Sequence, residues 1–289
     1  MTMKTILAPL AGAARDELTL AGAFTVAQQC EAHVDALFAK LPAAAAVPML
    51  GEGVSGAMVE QLITAAETEW ERRETDSRRA FEAAVGSFNM ALHEEPPGPT
   101  TATAAWREEP GREDEVVVHA GHLSDLVVLG HRRGEDEDIQ LALTLEAALF
   151  RGSRPVLLVP GVVGQRIGGV AAIAWNGSAE GARAVADAMP FLHQADAVHI
   201  LTAETGKTDP AVADKLADYL AWHGVLAATR KVTPGSAAVG AALLTAAVDL
   251  GADLLVMGGY THSRLRELIL GGVTRHMLAE ARLPVLLSH

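Results

Sequence analysis

Two stretches of this chain recur later in it. Asp125-Leu-Val-Val-Leu-Gly130 returns as Asp253-Leu-Leu-Val-Met-Gly258, and Pro155-Val-Leu-Leu158 returns as Pro284-Val-Leu-Leu287. A repeat of that length constrains the fold more than any single motif, because it means one supersecondary plan used twice. Around each copy, short apolar runs alternate with segments of helical spacing. In the first half the pattern predicts strands at 4–9, 33–38, 100–106, 126–129 and 155–159, with helices at 14–31, 55–88, 113–121 and up to Phe150. In the second half it predicts strands at 170–175, 197–202, 225–232, 254–257 and 284–287, with helices at 179–192, 209–222, 236–250 and 273–282. Strands alternating with helices make parallel sheets covered on both faces, so the expectation is an α/β protein of two tandem doubly wound domains. Pro160 to Gly169 holds four glycines and a proline and reads as the linker, giving domains at 1–160 and 168–289.

Ligands in such sheets bind beyond the carboxyl ends of the strands, where strand order reverses. One such end is distinctive. After Leu254–Met257 come Gly258-Gly259, a basic loop with His262, Ser263, Arg264 and Arg266, a second pair Gly271-Gly272, then Val273, Thr274 and Arg275 at a helix start. Unpaired N–H groups at a helix start attract anions, and glycines let backbone come close to them. The same residues also fit an ordinary strand–helix connection whose glycines only turn the chain. Asn176, within Ala174-Trp175-Asn176-Gly177-Ser178, ends the first strand of the same half and is placed to meet Gly258 in one crevice.

Charge separates the halves. Residues 1–160 carry 13 Lys/Arg against 25 Asp/Glu (−12), and residues 161–289 carry 10 against 11 (−1). An acidic chain is a poor match for nucleic acid or an anionic membrane, and an anionic ligand is better received by the second half. Aromatics are only 4% of residues, which favours helices packed closely on a sheet. No apolar run approaches the roughly 18 residues of a membrane span, and the N-terminus lacks the apolar core of a signal peptide. The single cysteine, Cys30, fits a reducing, cytoplasmic setting.

These residues resemble the universal stress protein family, in a tandem form with two Rossmann-like domains over nearly the whole chain. Nucleotide-binding members of that family carry Gly-x2-Gly-x9-Gly-Ser/Thr after the fourth strand, and this chain reads Gly258-x2-Thr261-x9-Gly271-Gly272. The spacing is kept, while Thr261 stands for a glycine and Gly272 for the hydroxyl residue. The resemblance implies an adenine nucleotide (ATP, ADP or AMP, with or without Mg) in the second domain. Its contacts would come from Ala174, Trp175, Asn176, Met257, Gly258, Thr261, His262, Ser263, Arg264, Gly271, Gly272, Val273 and Thr274. In the first domain the corresponding stretches are Pro9-Leu-Ala-Gly12, with no polar side chain, and Gly130-His-Arg-Arg-Gly-Glu-Asp-Glu-Asp138, whose four carboxylates would repel a triphosphate. That domain is read as a non-binding structural partner. The resemblance also implies a pseudo-dimer, with 156–159 facing 285–287, and pairing of two chains into a homodimer.

Thr205-Gly-Lys-Thr208 imitates the end of a phosphate-binding loop, but Leu201 stands where that motif needs glycine. His119-x2-His122 lacks the further ligands of a zinc site. Glu71 to Arg79 reads as a solvated helix face. With no general base in the motif, the expectation is a regulatory nucleotide binder and not an enzyme, slow ATP hydrolysis aside. The rival is an interaction module of the stress response that binds no nucleotide.

Overall fold

The computed structural model describes residues 2–12, 14–41, 56–96, 98, 100–131, 139–161, 163–204, 211–259, 276–277 and 279–289. Eleven strands form one sheet. The first half contributes β1 (Thr5–Leu10), β2 (His33–Lys40), β3 (Ala91–Leu92), β4 (Thr103–Pro110), β5 (Leu126–Gly130) and β6 (Val156–Val159). The second contributes β7 (Val170–Ala174), β8 (Ala197–Ala203), β9 (Ala227–Val232), β10 (Leu254–Gly258) and β11 (Val285–Ser288). The helices are α1 (Arg15–Cys30), α2 (Gly56–Phe88), α3 (Glu113–Gly121), α4 (Ile139–Phe150), α5 (Ala179–Leu192), α6 (Val212–Trp222) and α7 (Val239–Asp249). The helical reading of 273–282 falls mostly outside the described residues, though His276, Met277, Ala279 and Glu280 are helical. The two-residue β3 had no sequence expectation.

The sheet order is β3-β4-β2-β1-β5-β6-β11-β10-β7-β8-β9. Within each half every described pairing is parallel, and only β6 and β11 run antiparallel, Val285 opposite Leu158 and Leu287 opposite Val156. Strand order reverses between β1 and β5 in one half and between β7 and β10 in the other. These are the two switch points.

Parallel strands covered on both faces are apolar throughout, which is why they stand out in the sequence. Alternation divides them: Ile6, Val128, Leu157 and Val256 face one core layer, and Leu7, Val127, Leu158 and Leu255 face the other. The first layer is covered by α1, α2, α5 and α6, the second by α3, α4 and α7. Both layers run through the β6–β11 join without interruption.

The repeated aspartates have a structural role at the opposite, N-terminal ends of the strands. Asp125 Oδ2 accepts from the backbone N–H groups of Lys4 (2.7 Å) and Thr5 (3.0 Å). Asp253 does the same for Gly169 (3.1 Å) and Val170 (2.9 Å). Each fixes the entry of the neighbouring strand, β1 or β7, by satisfying donors that no strand partner reaches.

Candidate functional site

At the second switch point Ala174 and Met257 are register partners, so the ends of β7 and β10 lie side by side. Beyond β7 the chain turns sharply: Gly177 has φ +76°, and the Asn176 side-chain oxygen accepts from Ser178 N–H at 3.0 Å. Ser178 then caps α5, its hydroxyl accepting from Gly181 N–H at 3.1 Å. That is the N-cap arrangement the sequence Ser178-Ala-Glu-Gly181 favours. Its own backbone N–H first, then Ser178 and Arg183, hold the Glu180 carboxyl below the ordinary range, as a helix N-terminus also favours. The Trp175 indole donates to the carbonyl of Val212 at 3.0 Å, tying this turn to the start of α6.

Gly258 explains how α5 comes so close. A Cβ there would sit 2.6 Å from Gly181 N and 2.8 Å from the carbonyl carbon of Glu180. The helix start therefore lies directly over the end of β10, and only glycine leaves it room. Gly130 plays the same part in the first half, where a Cβ would meet Arg15 O at 2.3 Å. The glycine that ends each repeated strand is thus explained by helix packing before any ligand is considered.

Of the thirteen residues singled out in the sequence, Ala174, Trp175, Asn176, Met257 and Gly258 are described, and the structure brings them to one crevice. Asn176 is exposed there and Trp175 half-buried. The Met257 side chain instead packs into the core beneath the sheet, leaving only its backbone at the crevice. Thr261, His262, Ser263, Arg264, Gly271, Gly272, Val273 and Thr274 lie outside the described residues, as do Arg266, Arg275 and the Thr205–Thr208 stretch. Among the described residues no group of His, Cys, Asp and Glu is arranged to hold a metal ion.

The first switch point is built from residues the sequence reading passed over. Asp16, in the first turn of α1, is buried and accepts from Ala11 N–H (3.0 Å), Gly12 N–H (2.9 Å) and the Ser77 hydroxyl (2.6 Å). From α2, Arg73 Nε donates to the Ala11 carbonyl at 2.6 Å. A Cβ on Gly12 would collide with the Arg73 backbone, so α2 lies directly on this turn. Beside it Arg15 and Glu113 form a buried ion pair at 2.9 Å, with the Thr144 hydroxyl donating to the same carboxylate oxygen at 2.9 Å. Burial pushes the carboxyls of both Asp16 and Glu113 up. The crevice end of the first half is thus filled by its own side chains. The reading of Glu71–Arg79 as a solvated face is corrected here: Ser77 is fully buried and Arg73 half-buried. The cause is helical spacing, since Trp70, Arg73, Ser77 and Phe81 lie along one face of α2.

Two cavities lie in the first half and neither at the second switch point. One of about 340 Å³ opens at the N-terminal ends of β1, β2 and β4, around His33, Asp35 and Arg107. The other, about 240 Å³, is bounded by Trp70, Arg73, Glu113 and Gln140 beside the filled crevice.

A scan of protein families matches residues 172–289 to the universal stress protein family. Across solved structures, a universal stress protein from Archaeoglobus fulgidus aligns over 100% of this chain and 99% of its own, with TM-score 0.69 and 13% identity. A functionally unknown protein from Pseudomonas aeruginosa aligns over 99% of this chain and 92% of its own, with TM-score 0.54 and 14% identity. No curated protein matches the sequence. At those identities the structures speak to the fold, which extends over both halves, and the family match speaks to the second. In the described residues no helix is long and apolar enough to cross a membrane. Residues 172–289 form a universal stress protein family domain, and the fold of solved universal stress proteins continues through the first half.

Proposed function

We propose that residues 168–289 bind an adenine nucleotide at the β7/β10 switch point and that residues 1–160 serve as a structural partner without a nucleotide. One observation carries the reading: α2 occupies the first crevice with Arg73 and Ser77, whereas α6 meets the second at the Val212 carbonyl, which accepts from Trp175 at the turn after β7. An exposed Asn176 offers amide and carbonyl to a ribose or base edge. The glycine loop and its arginines would receive the phosphates, with or without Mg. Binding without turnover would make this a regulatory protein of the stress response.

Calorimetric titration with ATP, ADP and AMP, each with and without Mg²⁺, tests it. The expectation is saturable binding with Kd below about 100 μM, equivalent to about −5.5 kcal/mol. Asn176→Ala should weaken it about three- to tenfold, the worth of one hydrogen bond. Absence of saturable binding would leave the interaction module as the better account.

A further inference from the structure

We propose that the free edge of β9 is a docking surface for an acidic, extended segment of a protein partner, which adds to the sheet as a further strand. The two halves differ here. In the first half the outer strand β4 is covered by β3, which pairs with it in parallel through Ala91–Thr103 and Leu92–Ala104. In the second half β9 occupies the same place and, among the described residues, no strand lies beyond it.

The exposed peptide groups can be assigned. The Val232 carbonyl accepts from Glu204 N–H, so it points to β8. With a period of two, the peptide groups of Ala228 and Arg230 point the same way. Those of Ala227, Thr229 and Lys231 point outward, a row of donors and acceptors ready for another chain. Charged residues on an edge often serve to repel such a chain, and Arg230 and Lys231 fit that bland role. A guarded edge does not call for the neighbouring features, however. Trp222, ending α6, is 91% exposed, and Leu226, entering β9, is 85% exposed. Tyr219 is exposed as well, its ring 4.6 Å from that of His223. Exposed tryptophan, tyrosine and arginine together are the residue types that dominate binding energy at protein interfaces.

The occupant follows from charge. Arg230 and Lys231 are exposed with no ion-pair partner among the described residues, and they sit on a chain of net charge −13. A second copy would bring the same two cations to the join, whereas an acidic strand complements them. Arg230 and Lys231 lie on opposite faces of the edge, so a partner strand alternating acidic and apolar residues would turn its acids toward one of the two cations and its apolar residues to the other face.

The test is fluorescence anisotropy on the full chain with a labelled decapeptide of alternating valine and glutamate. It should bind, and the valine–lysine counterpart should bind about tenfold or more weakly. N-methylation of alternate peptide nitrogens should remove binding, because strand addition needs those N–H groups. Trp222→Ser and Arg230→Glu should each weaken binding about tenfold. Thr229→Pro removes an outward donor and should abolish it; Thr229→Val, which keeps the donor, controls for strand integrity and should not. Equal binding of both peptides, binding that survives N-methylation, or no binding would overturn the proposal. So would a sedimentation experiment in which two copies meet through this edge, seen as self-association lost in Trp222→Ser.

Discussion

Arg15 and Glu113 illustrate how a buried ion pair can matter chiefly for what its loss leaves behind. Replacing a buried pair with apolar residues is often neutral, but removing one partner leaves a charge in a low-dielectric site. Arg15→Met should therefore cost about 3–5 kcal/mol near neutral pH. The sign of its pH dependence follows from burial. Glu113 already holds its proton to a higher pH in the folded chain than in the unfolded one, so folding loses stability as pH rises through that interval. Without the guanidinium that interval extends further upward, and the deficit of Arg15→Met should shrink between about pH 7.5 and about pH 5. Urea denaturation of both proteins at each pH checks this, and an equal deficit at both would refute it. Gly258 supplies the complementary case of added bulk. An alanine there puts a methyl 2.6 Å from Gly181 N, where only backbone can yield. Gly258→Ala should cost about 1–3 kcal/mol and also lower nucleotide affinity, because the start of α5 must move. Denaturation and calorimetry on the same sample separate the two effects.

Among the elements, α2 is held unevenly. Of its 33 residues only Ser77 and Phe81 are buried. Phe81 lies edge-on to Phe24 and tilted against Trp106, and Phe88 lies edge-on to Phe24. Toward the other end Met58 and Leu62 are exposed. Phe81→Ala should accordingly cost about 3–5 kcal/mol, while Leu62→Ser should stay within about 0.5 kcal/mol of the parent by denaturant titration. The helix itself was legible, because Val59, Ile63, Ala66 and Trp70, then Phe81, Ala84 and Phe88, keep helical spacing. The strands were legible for a different reason: runs such as Leu126–Leu129 and Leu254–Met257 are buried on both faces and so are continuously apolar. What the sequence could not disclose was the polar filling of the first crevice. Asp16, Arg73, Ser77 and Glu113 are separated along the chain and only three-dimensional packing joins them. Arg73 and Ser77 also sit in a run of charges that looks solvated one residue at a time. β3, two residues long, has too few positions to show any period. At the second crevice the position of Asn176 is legible because it follows an apolar run directly, and the structure places its side chain in the turn that leads to the Ser178 cap.

The whole molecule is two copies of one plan joined where β6 meets β11. β11 is bonded on one side to β10 and on the other to β6, and Val285, Leu286 and Leu287 are fully buried. Both core layers cross this join, so burial there holds the halves together more firmly than the linker does. A chain cut to residues 168–289 would lose β6 and expose the outer edge of β11, with its unpaired N–H and C=O groups and its apolar side chains. A second fragment can supply the missing partner, because the β6–β11 join is antiparallel and a two-fold axis relates antiparallel strands. The fragment is therefore expected to sediment as a dimer. Leu286→Lys should return it to single-fragment mass or prevent folding, and circular dichroism distinguishes those two results. The full chain satisfies β11 internally, so Leu286→Lys in that context should lower stability without changing mass. If the fragment instead remains a folded monomer, the edge of β11 is stable in water and the join with β6 is not what holds the halves together.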